Sequence, residues 1–233
     1  MAELPDQTIV VSDSDLRDAL KLVWPIASAI ATMEQLETIT LAAGTGMVPA
    51  EVNDPNANPS KNALCLALAH SSVETASATG KIGQGRKMVW YNLAGLKCSK
   101  ADQQKYDFVY TNTTEWVSEA DATAILRRGT GATVVQRATD ASGKVNVQLL
   151  FKGANKSEVC SFRAFRNLPA GCLYYLGRLR TFYKSAWPFL TNASPDAYVH
   201  ALKNMGYFTA GESTYKHLVS VNYRTYLAKY DTL

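Results

Sequence analysis

The chain has 233 residues, of which 47% are apolar and 19% are charged, and its formal net charge is +4. This composition is typical of a globular protein, and the sequence has no apolar run of the roughly 18 residues that a membrane-spanning helix needs. The net positive charge favours approach to an anionic polymer, but the basic residues are too scattered to predict a surface for duplex nucleic acid.

The first sixty residues are predicted to form a helical region followed by a loop. Apolar residues at helical spacing predict a helix over 12–31, with Ser14 and Asp15 as its cap and Pro25 as a kink or break. A further helical piece is expected over 32–42, and proline, asparagine and glycine make 43–62 a loop. We interpret residues 1–60 as an N-terminal arm and loop that attach the protein to a partner.

A third predicted helix begins near Leu64 and ends at Glu74. The run Leu64–Ala69 is uniformly apolar, so this helix is expected to cross the core. Glu74 would then lie in apolar surroundings at the negative end of the helix dipole, and both effects raise the pKa of a carboxyl group. A carboxylic acid that stays protonated near neutral pH suits a general acid in glycosidic bond cleavage.

The hydrophobic period changes to that of β-strands in the middle of the chain. Alternating residues predict strands between 105 and 151, with a β-hairpin at 132–151 whose turn lies at 139–144. A short helix capped by Ser118 is expected between Glu115 and Gly129. The strands and this helix form a predicted β-lobe at about 103–161.

The C-terminal third is predicted to be helical again. Helices are expected over 168–184, from Ser194 to Gly206, and over 212–230. The tyrosines of the last helix, Tyr215 among them, are interpreted as largely packing residues.

Cysteine and histidine placement gives no support for a metal or a cofactor. The four cysteines are widely spaced without a C-x-x-C pair, so free thiols are expected. His70 stands four residues before Glu74 and shares its helix face, but further metal ligands at helical spacing are missing. No Gly-x-Ser-x-Gly elbow supports a serine hydrolase.

Four short motifs, in the same order along the chain, resemble those of the glucosaminidase family of peptidoglycan hydrolases (glycoside hydrolase family 73). The family reads Glu-Thr-Gly-x-Gly, Asn-Asn-Leu-Phe-Gly-Ile-Lys, Phe-Arg-x-Tyr and Gly-Tyr-Ala-Thr-Asp-Pro-x-Tyr. The matching segments here are Val73-Glu74-Thr75, Tyr91-Asn92-Leu93-Ala94-Gly95-Leu96-Lys97, Phe162-Arg163-Ala164-Phe165, and Gly206-Tyr207-Phe208-Thr209 followed by Tyr215.

The resemblance implies a lysozyme-like, mainly helical α+β domain over residues 61–233. Its implied activity is endo-hydrolysis of β-1,4 bonds in the glycan strands of peptidoglycan, at the N-acetylglucosaminyl side. Glu74 matches the general acid. Glu115, in a Thr-x-Glu context, matches the second catalytic carboxylate. Glu119, Asp121 and Glu158 remain alternatives to Glu115, as does assistance by the N-acetyl group of the sugar.

Further residues of the matched motifs are candidates for substrate binding. Tyr207 is expected to line the groove close to the acid, where an aromatic face suits a sugar ring. Asn92 is expected to hold the loop beside Glu74. Trp90 and Tyr91 are candidates for a sugar platform.

Departures from the family leave two other functions open. The family's Glu-Thr-Gly-x-Gly is Glu74-Thr75-Ala76-Ser77-Ala78 here, so the end of the helix can differ. A lytic transglycosylase would use Glu74 alone, and a wall-binding or virion structural protein would have no activity. The acidic start, Met1–Asp6, does not resemble a secretory signal. We therefore expect a phage endolysin or virion component that acts at the bacterial cell wall, with glycan strands as its partner and, through the N-terminal arm, other virion proteins.

Overall fold

The computed structural model describes residues 1–47, 52–54, 56–140, 142–208 and 211–233. About 50% of the protein is helical and 17% is β-strand, which agrees with the predicted, mainly helical α+β class. The chain forms two compact units. The larger unit contains Thr8–Gly95 and Phe165–Leu233, and the smaller contains Met1–Gln7 and Leu96–Ala164.

The elements follow one another along the chain as β1 (Thr8–Val11), α1 (Asp13–Ala29), α2 (Met33–Gly44), α3 (Lys61–Glu74), β2 (Ala76–Ser77), β3 (Arg86–Val89), α4 (Lys100–Gln103), β4 (Phe108–Tyr110), β5 (Thr113–Ser118), α5 (Glu119–Arg127), β6 (Thr133–Thr139), β7 (Val145–Phe151), β8 (Ser161–Arg163), α6 (Leu168–Thr181), α7 (Trp187–Thr191), α8 (Pro195–Asn204) and α9 (Glu212–Lys229).

The core of the larger unit is built around α3. Ser60 caps this helix by accepting a hydrogen bond from the Ala63 backbone N–H, and every residue from Ala63 to Ser71 is buried. Helix α3 packs mainly against α9, while α6 packs against α1 and α2. A helix that is apolar on all sides needs neighbours on all sides, so α3 lies at the centre of the unit, as its sequence predicts.

A small antiparallel sheet and a buried polar cluster tie distant parts of the larger unit together. The strand order is β1-β3-β2, with Thr8 opposite Val89 and Ala76 opposite Lys87. Beside this sheet, the hydroxyl of Tyr226 on α9 donates to Asp13 Oδ1 at 2.8 Å and accepts from Arg86 on β3. The Arg86 Nε atom lies 3.6 Å from Asp13 Oδ1. The cluster therefore joins α1, β3 and α9 through charges that are almost fully buried.

The smaller unit contains a three-stranded antiparallel sheet of order β5-β7-β6 and a two-stranded sheet of β4 and β8. Its core consists of alternate residues of β7 packed with α5 and Cys160. Those β7 residues are Val147, Leu149 and Phe151. The period-2 pattern of β7 thus corresponds to one buried face.

Several predicted elements are confirmed. Strands β6 and β7 form the predicted hairpin, although Ala141 of its turn lies outside the described residues. Helix α5 lies between the strands as expected, and the Ser118 side chain accepts a hydrogen bond from the Asp121 backbone N–H. All four cysteines are buried free thiols, as predicted.

Three details of the N-terminal region differ from the prediction. Ser12, not Ser14, caps α1, and the helix continues unbroken through Pro25. The predicted loop at 43–62 is shorter, because α2 extends to Gly44, and its residues 48–51 and 55 lie outside the described residues.

The predicted boundary between an arm at 1–60 and a catalytic domain at 61–233 does not match the two compact units. Strand β1 pairs with β3, and α1 and α2 pack against α6, so these elements belong to the larger unit. Their apolar faces are buried in the same core as α3. The predicted β-lobe at about 103–161 lies within the smaller unit.

Candidate active site

Glu74 is the last residue of α3, a helix that is buried from Ala63 to Ser71. Thr75 ends the helix, and its backbone N–H donates to the Ser71 carbonyl. The Glu74 side chain keeps 20% of its surface exposed. Burial raises the pKa of this carboxyl group, in the direction that the sequence predicted. The site therefore combines an acid that favours its protonated form with partial access to solvent.

Tyr215 on α9 holds the Glu74 carboxyl group. Its hydroxyl donates a hydrogen bond to Glu74 Oε1, and this bond lowers the pKa of Glu74 against the larger effect of burial. The Tyr215 ring stacks on Phe208, with ring centroids 3.9 Å apart and planes 4° from parallel. Burial and the nearby charge of Glu74 raise the pKa of Tyr215, so its hydroxyl keeps its proton. Tyr215 is thus a fixed donor to Glu74.

His70 lies one helical turn before Glu74 and is completely buried. Its Nδ1 atom is 2.7 Å from the Tyr175 hydroxyl and 2.8 Å from the Tyr198 hydroxyl. Its Nε2 atom lies 4.0 Å from Glu74 Oε1 and has no hydrogen-bond partner among the described residues. Burial lowers the pKa of His70 to about 3, so the ring is neutral at physiological pH.

Tyr207 packs against His70 within the larger unit. Its ring centroid lies 5.0 Å from that of His70 and 4.8 Å from that of Tyr183. The hydroxyl is buried and has no hydrogen-bond partner in the described part of the chain. Burial, and next the charge of Glu74, raise the pKa of Tyr207. Tyr207 therefore lies close to Glu74 with its hydroxyl enclosed, and its place in a substrate groove stays a prediction. Thr209, two residues further on, lies outside the described residues.

Trp90 and Tyr91 form a tight turn immediately after β3. Both have positive φ angles, 44° and 55°, and the Asn92 backbone N–H donates to the Val89 carbonyl at 2.9 Å. Such angles cost energy in residues that carry a Cβ atom. Because Ala76 pairs with Lys87, β3 runs alongside the segment that leaves Glu74. The structure thus places the predicted platform residues on a strained turn near the end of α3.

Gly171 on α6 makes room for this turn. A Cβ atom at Gly171 would lie 2.1 Å from the Tyr91 carbonyl oxygen, which is impossible without movement of the backbone. The Phe165 backbone N–H also donates to the Trp90 carbonyl. Asn92 is 5% exposed, and it is buried at the end of the turn, where it was expected to support the loop.

Glu115, the predicted second carboxylate, lies on β5 in the smaller unit. It forms an ion pair with Lys97 at 2.6 Å, and the Glu115 side chain is 34% exposed. The alternatives are also in this unit. Glu119 pairs with Arg137, Asp121 accepts a hydrogen bond from the Ser118 hydroxyl, and Glu158 lies 3.9 Å from Lys100.

The site contains two residues that the sequence interpretation did not assign to it, His70 and Tyr215. His70 was recognised as sharing the face of Glu74, and Tyr215 belonged to a matched motif but was interpreted as packing. The i, i+4 spacing of His70 and Glu74 was the available signal. The tyrosines around His70 come from α6, α8 and α9, and their convergence is not visible in the sequence.

The described residues offer no cluster of three or more His, Cys, Asp or Glu side chains that could hold a metal ion. Burial raises the pKa of Cys65 and of Cys98 to about 11, so these thiols are poor nucleophiles. Within the described part of the chain, no helix is both long and apolar enough to span a membrane. At the site itself, burial raises the pKa of the Glu74 carboxyl group, and the buried hydrogen-bonding groups near it are His70, Tyr207 and Tyr215.

Comparison with known proteins adds no relative. No family model matches the chain, and neither a curated protein nor a solved structure matches it.

Proposed function

We propose that the protein is a peptidoglycan hydrolase with a lysozyme-like fold, an endo-β-N-acetylglucosaminidase that cleaves β-1,4 bonds of the glycan strand. The observation that carries this proposal is the position of Glu74. Glu74 ends a buried helix, keeps part of its surface exposed, has a raised pKa and accepts a hydrogen bond from Tyr215. The four motifs that resemble the glucosaminidase family include this residue.

In the proposed mechanism, protonated Glu74 gives its proton to the oxygen of the glycosidic bond as the bond breaks. General acid catalysis of this kind contributes about 10²- to 10⁴-fold to the rate. Tyr215 orients the carboxyl group, while Trp90, Tyr91 and Tyr207 supply aromatic surface for the sugar rings and Asn92 supports the turn. No metal or cofactor takes part in this proposal.

Glu115 is proposed as the second carboxylate, which activates water or stabilises the positive charge on the sugar. Its ion pair with Lys97 at 2.6 Å fixes the position of the carboxylate, and 34% of the Glu115 side chain stays exposed. Delivery to the wall as a phage endolysin or virion component belongs to the same proposal.

The test is mass spectrometry of the soluble products released from bacterial sacculi by wild type, Glu74→Gln and Glu115→Gln. Wild type should release fragments with reducing N-acetylglucosamine ends, and Glu74→Gln should release less than about a tenth as much, because the amide cannot donate the acid proton. Glu115→Gln should lower the rate at least about tenfold if Glu115 acts as the base.

Other outcomes assign other functions. Reducing muramic acid ends would keep Glu74 as the acid and move the cleaved bond. Anhydro ends would identify a lytic transglycosylase. Binding to sacculi without release of products, by wild type and Glu74→Gln alike, would identify a wall-binding protein and contradict the catalytic proposal.

A further inference from the structure

Tyr215 is not the only potential hydrogen-bond donor near Glu74. Tyr215 donates to Oε1, and two further polar atoms near the acid, His70 Nε2 and the Tyr207 hydroxyl, are buried without a partner among the described residues. Buried polar groups in folded proteins are almost always paired, so an unpaired group beside a reacting acid needs an explanation. His70 offers the clearest case, because its distance to Glu74 Oε1 is 4.0 Å.

The contacts at the other end of the ring decide which nitrogen of His70 carries the proton. The Tyr198 hydroxyl lies 2.8 Å from His70 Nδ1. The Tyr175 hydroxyl has two acceptors within reach, His70 Nδ1 at 2.7 Å and the Ala67 carbonyl at 3.4 Å. The shorter contact is the better hydrogen bond, so Tyr175 donates to Nδ1. Since a neutral imidazole has one donor and one acceptor nitrogen, we assign the proton to Nε2, on the side of Glu74.

The ring is a neutral donor and not a cation. His70 is fully buried, and burial lowers its pKa to about 3. The titratable and charged groups around it come from several packed elements. They are Glu74 on α3, Tyr175 on α6, Tyr198 on α8, Tyr207 after α8, and Tyr215 on α9. Arg178 on α6 and Tyr183 after it lie close to Tyr207.

We propose that His70 is a positioning residue whose Nε2–H faces Glu74 Oε1 and stabilises the carboxylate that forms when Glu74 gives up its proton. This inference rests on the proposed role of Glu74 as the acid. While Glu74 is protonated, the 4.0 Å gap leaves the Nε2–H with little interaction. As negative charge develops on Glu74, the attraction between the two groups grows and a small rotation of the carboxyl group closes the gap. A donor that acts more strongly on the charged form than on the neutral one lowers the barrier to proton transfer.

The first test is ¹⁵N NMR of the protein with His70 itself unchanged. The chain has three histidines, so the signals of His70 can be assigned with single substitutions of the other two. We expect the Nε2 atom of His70 to be protonated and the Nδ1 atom to be unprotonated at neutral pH. A proton on Nδ1 would overturn the proposal, because Nε2 would then be an acceptor.

The second test compares His70→Leu, which removes the donor, with His70→Gln, which keeps an N–H group at similar reach. The pKa of Glu74 is measured by ¹³C NMR of its carboxyl carbon, and kcat and KM are measured on soluble glycan strands. His70→Leu should raise the pKa of Glu74 by about 1 and lower kcat about tenfold, with KM changed less than about twofold. His70→Gln should restore kcat to within about threefold of wild type.

The outcomes separate this inference from the proposed function. A folded His70→Leu protein with an unchanged pKa of Glu74 would overturn the role of His70, whatever the enzyme's activity. If that variant does not fold, His70→Gln decides the question, because a clearly raised pKa of Glu74 in this variant would contradict the donor role. The expected shift in a protein that releases no glycan fragments would support His70 while rejecting glycan cleavage.

Discussion

Glu74 is subject to two opposing effects on its pKa, and one of them can be removed by a single substitution. Burial raises the pKa, and the hydrogen bond from Tyr215 lowers it. Tyr215→Phe keeps the ring that stacks on Phe208 and removes the donor, so the pKa of Glu74 should rise. The alkaline limb of the pH–activity profile should therefore move upward by about 1 pH unit. Tyr223→Phe, on the same helix, is the matched control, and an equal shift in both variants would contradict the specific role of Tyr215.

The backbone conformation of Tyr91 is predicted to lower the free energy of unfolding, while its ring is predicted to bind glycan strands. Its φ of 55° follows a φ of 44° at Trp90, and left-handed angles cost about 1–2 kcal/mol in a residue with a Cβ atom. Asparagine tolerates this region better, so Tyr91→Asn should raise the free energy of unfolding by about 1 kcal/mol and weaken binding to glycan strands. Urea denaturation and a binding isotherm measure the two effects. Tyr91→Phe keeps both the φ angle and the ring, so it should change neither the free energy of unfolding nor the binding of glycan strands. A loss of stability in Tyr91→Asn would show that the turn is not strained.

The burial of Glu74 was predictable from the sequence, whereas the residues that surround it were not. Glu74 follows an apolar run and belongs to a matched motif, so its burial and the direction of its pKa shift could be derived. Tyr175, Tyr198 and Tyr215 meet around His70 from three other helices. In the sequence Tyr175 and Tyr198 have only the local pattern of packing residues, and Tyr215 is marked only by a matched motif. Their convergence depends on tertiary contacts, which the sequence does not show.

Between elements, the buried cluster of Asp13, Arg86 and Tyr226 should be the most sensitive connection in the larger unit. Removing one charge of a buried pair leaves the other uncompensated, which costs about 3–5 kcal/mol. Asp13→Asn should therefore lower the free energy of unfolding by an amount in this range, measured by urea denaturation. Asp18→Asn is the control, because Asp18 pairs with Arg17 at an exposed position on the same helix and should cost less than about 1 kcal/mol. Similar decreases in the free energy of unfolding in both variants would show that the buried cluster does not stabilise the contact between α1, β3 and α9.

The elements that could be predicted are those with local signals. Helix α5 has a capping serine, and β6 and β7 are joined by a short turn, so residues near one another in sequence suffice to define them. Strands β1 and β3 have four residues each and pair across a long stretch of chain. Their short runs carry no reliable period, and the partner of each is specified only by tertiary packing.

For the molecule as a whole, the raised pKa of Glu74 predicts how stability depends on pH. The folded state binds the proton of Glu74 more tightly than the unfolded state does. The stabilising contribution of Glu74 is therefore complete below its unfolded pKa of about 4.5. This contribution is lost as the pH rises through the pKa of Glu74 in the folded state. Glu74→Gln lacks this dependence. Relative to wild type, it should gain stability as pH rises from 4 to 7.

Urea denaturation at several pH values measures this difference. The contribution of His70 has the opposite sign, because unfolded chains take up its proton below pH of about 6.5, but both proteins contain His70 and its effect cancels. A difference between wild type and Glu74→Gln that stays constant across the range would contradict the raised pKa.

The division of the chain into two compact units was the least predictable feature of the whole molecule. The loop after α2 suggested a boundary near residue 60, since proline and asparagine often mark linkers. The helices on both sides nevertheless pack into one core with α6 and α9. A loop's composition shows that it lacks regular structure but not whether the elements it joins share a core.

The larger unit is interrupted in sequence by the smaller one, and this order matters during synthesis on the ribosome. Helix α3 leaves the ribosome early, yet its main partner α9 and the helix α6 are translated only after Ala164. Until then the nascent chain presents an apolar helix that lacks its main partner, while all the residues of the smaller unit have already been made. Expression should consequently depend on chaperones that bind nascent chains, and a premature stop anywhere before α9 should yield insoluble fragments rather than a shortened folded protein.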